Sequence, residues 1–120
     1  MIVAGIGRSA GATGAEIGAL VALVAQGRGL DALACLEMRA GQLRAVAQEL
    51  GLPLLLLAAP ALRGVATPSH SARIMAVYGT GSVAEACALL AAGTGARIIT
   101  ARQISNARQA TCALAEGRGI

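Results

Sequence analysis

The chain has 120 residues, enough for one domain, with ten Arg, no Lys, six acidic residues and a formal net charge of +4. It has no Trp or Phe and a single Tyr, so its core must be aliphatic and packed closely through Ala and Gly. The absence of lysine excludes a Walker-type phosphate loop and imine catalysis, and without stacking rings or a dense basic run nucleic acid is not an expected partner.

In chain order, "MIVAGIG" opens as a buried strand, about Ile2 to Ile6. The loop "GRSAGATG" follows, then a helix from about Gly14 to Gln26. Thr13 and Glu16 have T-x-x-E spacing, which marks the start of that helix, and Gly27 and Gly29 end it. "ALACLEM" (32–38) reads as a second strand, "GQLRAVAQEL" (41–50) as a helix closed by Gly51, and "LLLLA" (54–58) as a third strand. Residues 60–71 form a proline-broken connector with room for one helical turn. "SARIMAVY" (71–78) does not alternate. Ile74, Val77 and Tyr78 fall at i, i+3 and i+4, which predicts a helix stopped by Gly79. A further helix runs from Ser82 to about Ala92, with Ser82 and Glu85 again at capping-box spacing. "ARIIT" (96–100) and "ATCALA" (110–115) are the fourth and fifth strands, joined by a loop and so paired antiparallel. "EGRGI" is expected to fray. The alternation predicts one domain over 1–120, a three-layer α/β/α sandwich with a mixed, mainly parallel sheet of about five strands.

Cys35, Cys87 and Cys112 are too widely spaced for a zinc pattern and odd in number, which reads as buried free thiols in a reducing cytoplasm. The longest apolar run, "LPLLLLAAPAL" (52–62), is interrupted by prolines and falls short of the ~20 residues that span a bilayer. No basic segment precedes the first apolar stretch. A soluble cytoplasmic protein is expected, with no membrane partner, no metal and no cofactor.

Two glycine-rich turns stand out as ligand sites. The first, "GIGRSAGATG" (5–14), joins a strand to a capped helix, and such a turn offers free N–H groups and the positive helix end to an anion. Its spacing, G-x-G-x3-G-x2-G, misses the dinucleotide fingerprint by one residue, and no acidic ribose reader follows. A small nucleotide- or phosphate-binding enzyme using this loop stays open as an alternative. The second is "YGTGSVAEACALLAAG" (78–93). Gly79 stops one helix and Ser82 caps the next, whereas Gly81 either clears space for a ligand oxygen or supplies a positive φ at a tight corner. Arg39, Arg102 and Arg108 sit at strand ends, where open α/β sheets bind ligands. His70 has no partner motif and reads as incidental. Glu85 reads as a capping residue. Glu37, inside a strand of apolar neighbours, is the acid to check for an altered pKa. No catalytic residue is assigned.

Taken in order, "VAGIGRSAGATGAEI", "YGTGSVAEACALLAAG" and "ATCALAEG" resemble the CobE / CbiG C-terminal domain family of cobalamin biosynthesis, with "G-T-x-S-V-A-E-A-x-A-L" as the most specific part. The resemblance implies a compact α/β/α domain acting on a precorrin or cobalt-precorrin intermediate, near ring contraction and lactone opening. It implies contact with other cobalamin-pathway enzymes. In the family this domain is either free-standing or the C-terminal part of a larger protein that opens the δ-lactone of cobalt-precorrin-5A and releases acetaldehyde. The length here fits the free-standing form, and any catalysis would be of that hydrolase kind. The family's first loop often carries Cys and paired Arg where this chain has Arg8, Ser9 and Ala10. Family lysines correspond to Arg39 and Arg102, and Gly81 replaces a frequent proline. The residues expected to hold substrate carboxylates are Gly7, Arg8, Ser9, Gly11, Thr13, Arg39, Gly79, Thr80, Gly81, Ser82 and Arg102.

Overall fold

The computed structural model describes residues 1–119. Five strands, β1 (Ile2–Arg8), β2 (Ala32–Leu36), β3 (Leu54–Leu57), β4 (Arg97–Ile104) and β5 (Ala110–Glu116), alternate with four helices, α1 (Gly14–Ala25), α2 (Leu43–Leu50), α3 (Ala72–Tyr78) and α4 (Val83–Ala92). The sheet order is β3-β2-β1-β5-β4. β1, β2 and β3 pair in parallel, while β5 runs antiparallel to both β1 and β4. Four of the five strands therefore point the same way, and the expected mixed, mainly parallel sheet is present.

The central strands β1, β2 and β5 are buried on both faces, and the edge strands β3 and β4 only in part. On one side Ala4, Ile6, Leu33, Cys35, Cys112 and Leu114 pack under α1 and α2. On the other, Val3, Ala34, Leu36 and Ala115 pack under α4 and Leu62. Small residues set the spacing on the α4 side. A Cβ at Gly5 would lie 2.6 Å from the Ala88 nitrogen and closer still to the Ala84 carbonyl, so this glycine lets the helix rest on the β1 backbone. Gly7, one pleat further on, answers to a different neighbour: a Cβ there would stand 2.7 Å from Thr111 Oγ1 of β5, while the α4 backbone lies at ordinary contact distance.

Several boundaries differ from expectation. β1 continues to Arg8 because β5 pairs with it as far as Ala110. β2 stops at Leu36, and Glu37–Arg39 form a 3-10 turn. Glu37 is exposed there and not enclosed among apolar neighbours. The connector holds its single turn at Ala59–Leu62. β4 runs on through Ile104 instead of ending at residue 100, because its ladder to β5 absorbs two register shifts instead of ending at the first. Residues 116–119 are not frayed. Gly117 and Arg118 donate to Met1 and Thr94 carbonyls at 3.0 Å, and Gly119 donates to Ala92 at 2.7 Å. Ile120 lies outside the described residues.

Candidate functional site

β1, β2 and β3 step outward in one direction with α1 and α2 on one face, whereas the chain returns by α4 on the opposite face to lay β4 and β5 on the other side of β1. The connections leaving the sheet thus diverge at the carboxyl end of β1, where open α/β sheets form a ligand crevice. A cleft of about 300 Å³ lies at that point. Its floor is Ile6 and Gly7 of β1 with Leu36 of β2. Ile74 and Tyr78 of α3 and Val83 at the start of α4 form one wall, and Gln109, Ala110 and Thr111 at the start of β5 form another.

Five arginines line this cleft, Arg8, Arg39, Arg73, Arg102 and Arg108, and no carboxylate among the described residues does. Arg8 is half-buried and knits the loops together: its Nε donates to the Arg39 carbonyl at 2.8 Å, and its Nη1 donates to the Ser9 carbonyl at 3.2 Å. Among the described residues the one ion pair is Arg97 with Glu116, on the far part of β4. The arginines of the lining therefore have no ion-pair partner among those residues, and the apolar walls concentrate their field.

Among the described residues the cleft lining also contains no histidine or thiol. The cysteines lie in the core, where burial pushes Cys87 and Cys112 up to about 12. It pushes Cys35 up to about 11, against the pull of Arg8 and Arg44. All three are thiols at neutral pH and are inert as nucleophiles.

Of the residues expected from sequence, Gly7, Arg8, Ser9, Arg39, Ser82 and Arg102 line the cleft, as does Arg108. The Gly5–Gly14 loop and the Gly79–Ser82 corner thus border one crevice, through Gly7–Ala10 and Ser82–Val83. Gly11, Thr13, Gly79, Thr80 and Gly81 do not line it. Thr13 is exposed and accepts the Glu16 N–H at 3.1 Å. Gly79 takes a left-handed φ of 72° to end α3. Thr80 is fully buried and donates to the Val65 carbonyl at 2.7 Å. Gly81 is not among the positive-φ glycines. A Cβ there would meet the Ser69 carbonyl and stand 2.7 Å from Thr67 Oγ1. The space beside Gly81 is filled by the chain's own connector, a third reason for a glycine beyond the two that sequence offered.

Sequence reasoning missed Arg73, Ile74 and Tyr78. Ile74 and Tyr78 share a helix face by their i, i+4 spacing, so the signal was present, but nothing in the sequence said what that face covers. It also missed the reach of Glu85. This carboxylate is fully buried. It accepts the Ser69 N–H at 2.8 Å, the Ser69 hydroxyl at 2.7 Å and the Arg102 N–H at 2.8 Å. Its own N–H is capped by Ser82 Oγ at 3.2 Å.

Fold and site define a small α/β/α protein with a cationic, partly apolar cleft at the switch point of a mixed sheet. The chain belongs to the family described as Cobalamin synthesis G C-terminus, which matches residues 2–115, so the resemblance carried by its glycine loops holds. The crystal structure of CobE, a protein from the cobalamin (vitamin B12) biosynthetic pathway, superposes with a TM-score of 0.82 at 31% identity, over 100% of this chain and 92% of that one. The cobalamin biosynthesis protein chiG from Agrobacterium tumefaciens str. C58 gives 0.76 at 32% identity over 98% of each chain. A cobalamin biosynthesis protein G homolog from Sulfolobus solfataricus shares the fold at 0.76 and 22% identity, and this chain covers 98% of itself but 37% of that longer protein. No curated protein matches the sequence.

Proposed function

We propose that the cleft binds a precorrin or cobalt-precorrin intermediate near the ring-contraction and lactone-opening stage of cobalamin biosynthesis. The observation that carries this reading is the lining itself, five arginines and no carboxylate around one crevice with apolar walls. A precorrin carries acetate and propionate arms on a broad apolar ring. Forked guanidinium groups pair with such arms two points at a time, and Tyr78, Ile74 and Leu36 offer apolar surface to the ring. The cleft's 300 Å³ stands at the low end of the ~300–1,000 Å³ usual for small-molecule pockets. It therefore suits one edge of the macrocycle with its arms, the rest of the ring lying outside.

With no carboxylate, imidazole or thiol in the lining, binding and presentation of the intermediate fit better than side-chain acid–base catalysis. In this reading Gly7, Arg8, Ser9, Arg39 and Arg102 contact the ligand, while the buried Ser82, with Gly11, Thr13, Gly79, Thr80 and Gly81, shapes the loops that present them. The protein works in the cytoplasm as one domain, alongside other cobalamin-pathway enzymes. No single helix among the described residues is long and apolar enough to cross a membrane.

Titration with precorrin intermediates, followed by absorbance, tests the proposal. Binding shifts the bands until one equivalent of protein is reached, and turnover carries the change past it. An unchanged spectrum with every intermediate overturns the reading. Thermal stabilisation by adenine nucleotides alone would transfer the site to the nucleotide alternative.

A further inference from the structure

β4 meets β5 with two register shifts. Thr100 faces Leu114 and Gln103 faces Cys112, so Ala101 and Arg102 together stand opposite Ala113 alone. This is a β-bulge, a device that turns the strand and re-aims a side chain, often beside a functional site. A bulge also leaves a backbone donor outside the ladder, and an unpaired buried N–H is costly. Here that donor is the Arg102 N–H, and its acceptor is Glu85 Oε2 at 2.8 Å. Arg102 is one of the five arginines of the cleft.

We infer that Glu85 is a positioning residue for ligand binding: through the Arg102 backbone it holds the β4 bulge in the shape that delivers the Arg102 guanidinium to the cleft. For its ligand this inference rests on the polycarboxylate reading above. The same carboxylate holds Ser69 by two hydrogen bonds, and Ser82, capping Glu85, itself lines the cleft. One buried group thus ties three segments at the crevice: the connector before α3, the start of α4 and the bulge of β4. A glutamine cannot do the same. The amide nitrogen finds an acceptor, the Ser69 hydroxyl, only at the Oε2 position, and there it orphans the Arg102 N–H, which cannot turn to accept.

The test uses uroporphyrin, an octacarboxylate tetrapyrrole, as probe, with affinity read by absorbance. Arg102→Ala is expected to weaken binding about tenfold, as loss of a charge-assisted contact does. Glu85→Gln should weaken binding several-fold in the native background and not at all in the Arg102→Ala background. Ser69→Ala, which spares the Arg102 bond, should lower the melting temperature and leave the affinity unchanged. Equal weakening by Glu85→Gln in both backgrounds would give Glu85 a general structural role and overturn the inference. A ligand-free measurement stands beside it. In the native protein the Arg102 amide should exchange with solvent as slowly as the ladder amides of β5, and an exchange rate like that of an exposed loop overturns the inference even where Glu85→Gln does not fold. If native protein binds no uroporphyrin, the polycarboxylate reading fails, and slow or fast exchange at Arg102 decides the positioning role separately.

Discussion

The starts of α1 and α4 carry one four-residue pattern, Thr13-x-x-Glu16 and Ser82-x-x-Glu85, and in both the hydroxyl accepts the glutamate N–H, at 3.1 and 3.2 Å. In neither does the glutamate carboxylate turn back on its own cap. Glu16 accepts from the Ser105 hydroxyl and from the Gln109 N–H at 3.2 Å, gripping the turn between β4 and β5. Glu85 grips the bulge of β4 and the connector before α3. The two helices therefore hold the same two-stranded ribbon from opposite faces of the sheet. They differ in water. Thr13 is exposed and Glu16 half-buried, whereas Ser82 and Glu85 are fully buried. A local motif specifies the cap, and its surroundings decide how much depends on it.

Truncating both carboxylates should separate the two helix starts most strongly. Glu85→Ala would strip three donors of their acceptor inside the protein and should cost about 4 kcal/mol, while Glu16→Ala, where water can replace the lost oxygen, should cost about 1 kcal/mol. Denaturant unfolding of the two variants measures the difference, and equal losses would refute the claim that burial separates the two starts. Glycine contrasts the same two faces. Gly5→Ala pushes a methyl group into the α4 backbone and should destabilise by about 3 kcal/mol. Gly18→Ala on α1 meets nothing within 4 Å and should stabilise by about 0.5–1 kcal/mol through helix propensity. Thermal melts of the pair should move in opposite directions.

A smaller effect probes what the two faces share. Cys87 is a buried residue of α4, and Cys112 of β5 lies in the core beneath α1. Burial raises both thiols to about 12. Their folded values exceed those of the unfolded chain, so the native state keeps protons that the unfolded state gives up. The contribution is full below about pH 9 and falls as pH rises toward the folded values, by about 1.4 kcal/mol per thiol by pH 10. Denaturation midpoints measured from pH 8 to 10 should fall accordingly. Cys87→Ala and Cys112→Ala should each flatten the slope by the same amount, and unequal flattening would show that one face admits water.

Much of the fold was legible because it is written locally. Thr13 and Ser82 announce their helices by hydroxyl chemistry. The i, i+3, i+4 spacing of Ile74, Val77 and Tyr78 correctly favoured a helix over a strand. The errors fell where pairing overrode local pattern. β4 was cut short at residue 100 because nothing in "ARQI" says that a bulge lets the ladder continue. The tail after residue 115 carries no local signal of its order because its hydrogen bonds run to Met1, Ala92 and Thr94. Of the site, the arginines at strand ends were recognisable, since topology alone brings strand ends together. Arg73 and Tyr78 were not, because only the packing of α3 carries them over the cleft.

Local chemistry and composition specify the order and kind of the elements, the aliphatic core, the excess of arginine over acid and the family resemblance in the glycine-rich stretches. These depend on neighbours a few residues away or on composition. The tertiary structure alone decided what each glycine is for and where each glutamate reaches. Gly5 and Gly81 are required by backbone that arrives from distant parts of the chain. Glu85 finds its partners 16 and 17 residues away. A backbone contact and a buried hydrogen bond are set by distance in space, and chain folding, not spacing along the sequence, brings those groups within range.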